Sequence, residues 1–237
     1  MASQKTAEGR GFPVWTALAG AVAGAIVVGA IWGATSVAGA TGGAGATEAT
    51  VNGKAITHAT LSKTLFTQYG RQTLQQMIDD RLVQTAAKAD GLTATASAIS
   101  QAQAQFESAY GITSPAALAS FLQQNGLSNA QLQTILKNQV LEQELSVRGI
   151  KVSAKEIAAY YKSHASTFTI TSKGKKTLEP LSQVKSAIVS TIQQSKAPTP
   201  TALLAKLAKQ YKLTVVDPAY KSLQSAIETA TSSVAGG

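Results

Sequence analysis

Two histidines, twelve carboxylates and no cysteine are all that 237 residues offer to acid–base, nucleophilic or metal chemistry. The lack of cysteine excludes disulfides, thiolate metal sites and a thiol nucleophile. His58 and His164 have no Asp or Glu at ligand spacing in the sequence, so no metal site is expected. Asp79-Asp80 is a carboxylate pair, but successive residues of a helix point in different directions. With Arg81 and Lys88 close by, the pair reads as part of a solvated helix face. No Gly-x-Ser-x-Gly elbow and no glycine-rich phosphate loop is present. The sequence therefore predicts no catalytic residues, no metal and no cofactor.

With chemistry set aside, composition points to binding. Hydrophobic residues make up 44% of the chain, charged residues only 14%, and the net charge is +9. The charge is spread out and forms no Lys/Arg block dense enough for a nucleic-acid footprint, so no nucleic-acid partner is expected. Attraction to an anionic membrane, or a mildly cationic binding surface, accounts for it more simply.

Residues 1–11 carry Lys5 and Arg10, and residues 12–37 carry no charge. The uncharged run of roughly 20 or more residues is long enough to span a hydrocarbon core. Trp15 and Trp32 lie near its ends, and no basic residue follows before Lys54. This asymmetry predicts a single-pass anchor with a cytoplasmic N-terminus and an extracytoplasmic body. The alternative is a signal peptide cleaved after Ala40, since Ala38-Gly39-Ala40 fits a small-x-small site; the body would then be secreted. Gly20/Gly24 and Gly29/Gly33 are small-xxx-small pairs that would let two such helices pack as a homodimer; the plain alternative is an Ala/Gly-rich span. Residues 38–48 read as a flexible linker, 49–224 as the body and 225–237 as a frayed tail.

The body reads as mainly α. Asn52-Gly53 predicts a tight turn between two short strands. Leu61, Leu65 and Phe66, then Leu74, Met77, Ile78 and Leu82, keep helical spacing up to a stop at Gly91. A helix follows from about Thr95 to Tyr110, another opens at Ser114-Pro115, and capping boxes begin at Ser128 and Ser153. Thr167–Ile170 is a strand candidate before a basic turn at Lys173–Lys176. Helices resume from Leu181 and from Thr201, and Leu213–Val216 has the β-branched character of a strand.

An ordered string of these features resembles the SurA/PrsA-type peptidyl-prolyl isomerases. Val51-Asn52-Gly53 with Ile56-Thr57 looks like the family's opening, and Met77–Val83 with Gly91-Leu92-Thr93 like its long helix and corner. Phe121-Leu122 with Gly126–Ser128, and Ile150–Ser153 with Glu156-Ile157 and Tyr160-Tyr161, match the family's next segments. Tyr211–Leu213 through Asp217–Tyr220 is similar to the closing strand. In that family a parvulin isomerase domain lies between the two parts that correspond to residues 51–168 and 178–220. Here about a dozen residues separate Phe168 from Leu181, too few to build a folded domain.

The resemblance implies a SurA-N-like helical chaperone domain with a small antiparallel sheet, Val51–Ile56 pairing with Leu213–Val216. It implies an ATP-independent holdase or foldase for unfolded or exported polypeptides, here without isomerase activity. The alternative is a membrane-tethered adaptor for one dedicated envelope partner. Such a chaperone needs apolar surface that an extended client can reach. The client-binding candidates are Phe66, Tyr69, Met77, Phe106, Tyr110, Phe121 and Leu122, and the flexible thioether of Met77 suits varied partners. Helical spacing alone would equally place Met77, Phe106, Phe121 and Leu122 in the core. Tyr69 and Tyr110, each followed by glycine and taken as close to helix ends, are the better candidates for exposure.

Overall fold

A computed structural model describes residues 45–172 and 175–230. The segment 12–37, the Ala40 cleavage site, the small-xxx-small pairs and the homodimer they would support lie outside these residues. Among the described residues, no helix is long and apolar enough to cross a membrane.

Strands β1 (Thr47–Val51) and β2 (Lys54–Thr57) form an antiparallel hairpin in which Val51 faces Lys54. Asn52 and Gly53 turn the chain with φ of 48° and 75°, the left-handed pair that a two-residue hairpin loop requires. Thr57 then caps helix α1 (His58–Ala89), accepting the Thr60 N–H at 3.2 Å. At 32 residues α1 is the longest element among the described residues, about 48 Å end to end. It stops where Gly91 takes φ 67°, letting the Leu92 N–H reach back to Ala87 O at 2.8 Å.

Helices α2 (Ala96–Ala109), α3 (Pro115–Gln124) and α4 (Asn129–Val147) follow, each opened by a side-chain cap from Thr95, Ser114 or Ser128. The capping boxes at Ser128–Gln131 and Ser153–Glu156 both form, and the second starts α5 (Ala154–Ser163). A second antiparallel hairpin, β3 (Thr169–Ser172) and β4 (Lys175–Leu178), leads to α6 (Leu181–Lys196) and α7 (Pro200–Gln210). After a 3₁₀ turn at Pro218–Tyr220 the described chain ends in α8 (Lys221–Thr229).

Apolar packing divides between two clusters. The larger sets Leu82, Val83, Ala86 and Ala87 of α1 against Leu132, Leu136 and Leu141 of α4, with Phe106, Leu122, Leu203, Leu207 and Ile227 around them. The smaller joins Ile157 of α5 and Phe168 to Val184, Ile188 and Ile192 of α6. Gln193 of α6 donates through Nε2 to Ile150 O at 3.0 Å, tying the smaller cluster to the end of α4.

Two expectations change. The Val51–Ile56 segment does not pair with Leu213–Val216: the described strands make two separate two-stranded sheets, β1-β2 and β3-β4. In place of a ladder, the Leu213 N–H donates to Ala208 O at 2.8 Å and side chains engage the backbone of Val215. The Val215 N–H donates to Gln224 Oε1 at 3.1 Å, and Lys221 Nζ donates to Val215 O at 2.8 Å. The tail expected from residue 225 is helical to Thr229, and Ile227 enters the larger core because α8 packs on α7.

Candidate client-binding surface

The seven candidate residues fall into two groups. Phe106 and Leu122 are buried in the larger core, and Tyr110 and Phe121 pack against it. The three rings form one aromatic cluster, with centroids 4.8 Å apart for Phe106–Tyr110, 5.7 Å for Phe106–Phe121 and 5.1 Å for Tyr110–Phe121. These are favourable aromatic distances, so the group is held as packing and offers little to a client. Expecting Phe106 and Leu122 at an accessible surface is therefore corrected: α2 packs against α4, and both residues enter the larger core with Leu132 and Leu136.

Phe66, Tyr69 and Met77 are exposed, at 67%, 38% and 47% of their free area. All three lie on α1. Tyr69 is well inside that helix, not near an end, because α1 runs on unbroken through Gly70. Eleven positions separate Phe66 from Met77, which at helical pitch leaves them within about 20° of each other around the axis and Tyr69 about 60° to one side. The result is an interrupted row of apolar groups along one side of the helix, about three turns long, with Thr73 between Tyr69 and Met77. Gly70 beside it is covered by Tyr220, whose hydroxyl a Cβ at that position would strike. Arg71 Nη1 donates to Ser222 Oγ at 2.7 Å, so the C-terminal turn is fixed as a shoulder next to Phe66.

Spacing alone missed six further exposed apolar groups: Leu61 at the start of α1, Val51 and Ile56 on the first hairpin, Ile170 and Leu178 on the second, and Val216 after α7. Leu61 and Ile56 read as helix and strand interior by pattern. A weak signal was available: a hairpin followed by one helix supplies too few elements to cover both faces of either.

The carboxylates of α1 differ from the solvated face predicted for them. Asp79 and Asp80 are half-buried against α4. Burial, with Asp80 and Glu142 as like charges, pushes the Asp79 carboxyl up from 3.8 to about 7. Burial also raises Asp80, partly offset by hydrogen bonds from Gln76 and Asn138, and it raises Glu142. Asp79 Oδ1 and Gln139 Oε1 are buried without a hydrogen-bond partner, whereas Asn138 is engaged, its Oδ1 accepting from Gln84 Nε2 at 3.1 Å. The cause is long-range: α4 presents Asn138, Gln139 and Glu142 to α1 on an otherwise apolar stripe.

Neither histidine builds a reactive centre. His58 Nδ1 lies 2.8 Å from Glu48 Oε1 on the open hairpin, a partner that sequence spacing did not indicate. His164 stacks on Tyr160 at 3.9 Å. Among the described residues no group of His, Asp and Glu could hold a metal ion.

The described body is thus helical and keeps Phe66, Tyr69 and Met77 of its long first helix in water. Comparison with known proteins places it more closely. The family model of the SurA-like N-terminal domain matches residues 10–146, more than half of the chain. The chain belongs to that family, of the SurA/PrsA type. The foldase protein PrsA of Levilactobacillus brevis is 26% identical over 166 residues, which are 70% of this chain and 51% of that protein. The chain thus spans about half the length of the curated relative it matches. The crystal structure of the peptidylprolyl isomerase PrsA from Bacillus cereus has a TM-score of 0.50 at 15% identity, covering 79% of this chain and 100% of that one. At that identity the likeness is one of fold.

Proposed function

We propose that this protein is an ATP-independent extracytoplasmic chaperone, anchored by residues 12–37, that holds unfolded or newly exported polypeptides and does not isomerise prolyl bonds. The observation that carries the reading is the strip of Phe66, Tyr69 and Met77 on α1. An unfolded client loses chain entropy when it is ordered, so contact with a few adaptable apolar groups gives weak binding and easy release without a nucleotide. Family membership supports the same reading. The lack of isomerase activity is supported by the short path of the chain after Phe168. It passes through the β3–β4 hairpin and returns so that the Glu179 N–H donates to Phe168 O at 2.9 Å.

The test is suppression of aggregation of a chemically unfolded client by the full chain in detergent micelles. Suppression near equimolar ratio that is lost in a Phe66→Ser/Met77→Ser variant is the expected result. No suppression at several-fold excess would overturn the reading. A parallel prolyl-peptide exchange assay is expected to run at the rate of buffer alone.

A further inference from the structure

Where α2, α4 and α6 meet there is a cleft of about 240 Å³. Its lining is unusual in one respect: five glutamines, Gln101 and Gln105 of α2, Gln143 of α4, and Gln193 and Gln194 of α6, surround it. Glu144 is the single charged residue in the lining. Buried Ala102 and Val140 form an apolar floor. Gln193 is committed to Ile150 O through Nε2. Gln101 is exposed and Gln105, Gln143 and Gln194 are half-buried, so their side-chain amides face the open cleft, and none is hydrogen-bonded within the described residues.

We infer that this cleft binds the backbone of an extended, uncharged polypeptide segment, the carboxamides pairing with its peptide groups while its small side chains rest on the apolar floor. The inference rests on the polypeptide-binding reading above and gives it a second subsite, away from the α1 strip. A carboxamide offers two N–H donors and a carbonyl acceptor, the same groups as a peptide bond, so it can pair with a backbone of any sequence. The spacing also fits. Gln101 and Gln105 are one helical turn apart, a rise of about 6 Å. An extended chain repeats the groups on one side every two residues, about 6.6 Å. Two amides on α2 can therefore meet successive same-side peptide groups without bending the chain. Neutral amides impose no charge preference, and Glu144 disfavours acidic side chains at one edge.

The distinguishing probe is a capped, fluorescently labelled alanine/serine peptide, compared with its depsipeptide, in which alternate backbone N–H groups are replaced by ester oxygens. The full chain is expected to bind the peptide about tenfold more tightly than the depsipeptide, as the loss of two ordinary hydrogen bonds implies. A Gln101→Ala/Gln105→Ala/Gln143→Ala variant, folded by circular dichroism, is expected to bind both probes equally and weakly. Filling the cleft from the surface with Ser190→Trp is expected to weaken the peptide by a similar factor. Equal binding of the two probes by the unaltered chain, or discrimination retained in the triple variant, overturns the inference. If either occurs while aggregation suppression persists, the chaperone reading stands and only the cleft assignment falls. If the chain neither binds the peptide nor suppresses aggregation, both fall.

Discussion

The two ends of α1 break opposite rules. Toward its N-terminus the helix leaves Leu61, Phe66 and Tyr69 in water, although burying a large apolar side chain stabilises by roughly 1.5–3 kcal/mol. Toward its C-terminus it buries Leu82, Val83, Ala86 and Ala87 but draws Asp79 and Asp80 in beside them, where a charge is costly. One continuous helix therefore carries unburied apolar groups and half-buried carboxylates about three to five turns apart. The C-terminal half is anchored by α4 and α7, while the N-terminal half touches its hairpin, Tyr220 and Ser222. Firm packing at one end allows the other to remain open, and places where local preference and structure disagree are where function is to be sought.

The contrast is broken most severely at the packed end. Leu136→Ala, at a fully buried position of the larger core, is expected to cost about 2–5 kcal/mol in urea unfolding, whereas Phe66→Ala is expected to change stability by less than about 0.5 kcal/mol. Equal losses for the two would show that the N-terminal half is covered. The carboxylates give the next largest effect. The folded state holds the Asp79 proton more tightly than the unfolded chain does, about 7 against 3.8. Stability therefore rises as pH falls from about 7 to about 4, and is lowered by the ionised carboxylate above that window. Asp79→Asn is expected to flatten this slope and to stabilise the protein at pH 8 by roughly 1–3 kcal/mol, read from urea midpoints across the range. Stability that falls with acid between pH 7 and 4 would refute the assignment.

Gly70 provides the finest adjustment. Alanine there gains up to about 1 kcal/mol of helix propensity but meets the Tyr220 hydroxyl. Gly70→Ala is expected to be near neutral alone and to stabilise in a Tyr220→Phe background. A double-mutant cycle with no coupling would mean that the Tyr220 shoulder does not rest on α1.

Much of the frame was legible in the sequence because its signals are local. Ser128 and Ser153 announce their helices within three residues, Pro115 follows its Ser114 cap, and Asn52-Gly53 makes its turn unaided. What failed depends on distance along the chain. Nothing near Asp79 predicts Glu142, and nothing near Val51 reveals that Val215 is already satisfied by Gln224 and Lys221. Phe66 and Phe106 carry the same helical pattern, and the packing of α2 against α4, distant in sequence, separates an exposed ring from a buried one. The site was thus readable as a residue type and a helix. Which rings reach water was not.

The pairing of Phe168 with Glu179 has a consequence for how such a chain can be extended or shortened. The strands that leave and re-enter the body start side by side and lie outside the larger core, so material added at the hairpin tip need not disturb that core. The entropy of closing a loop grows slowly, about 0.6 kcal/mol for each doubling of length. The hairpin is in effect a socket, a site where a folded unit could be grafted or removed while the helices on either side keep their places.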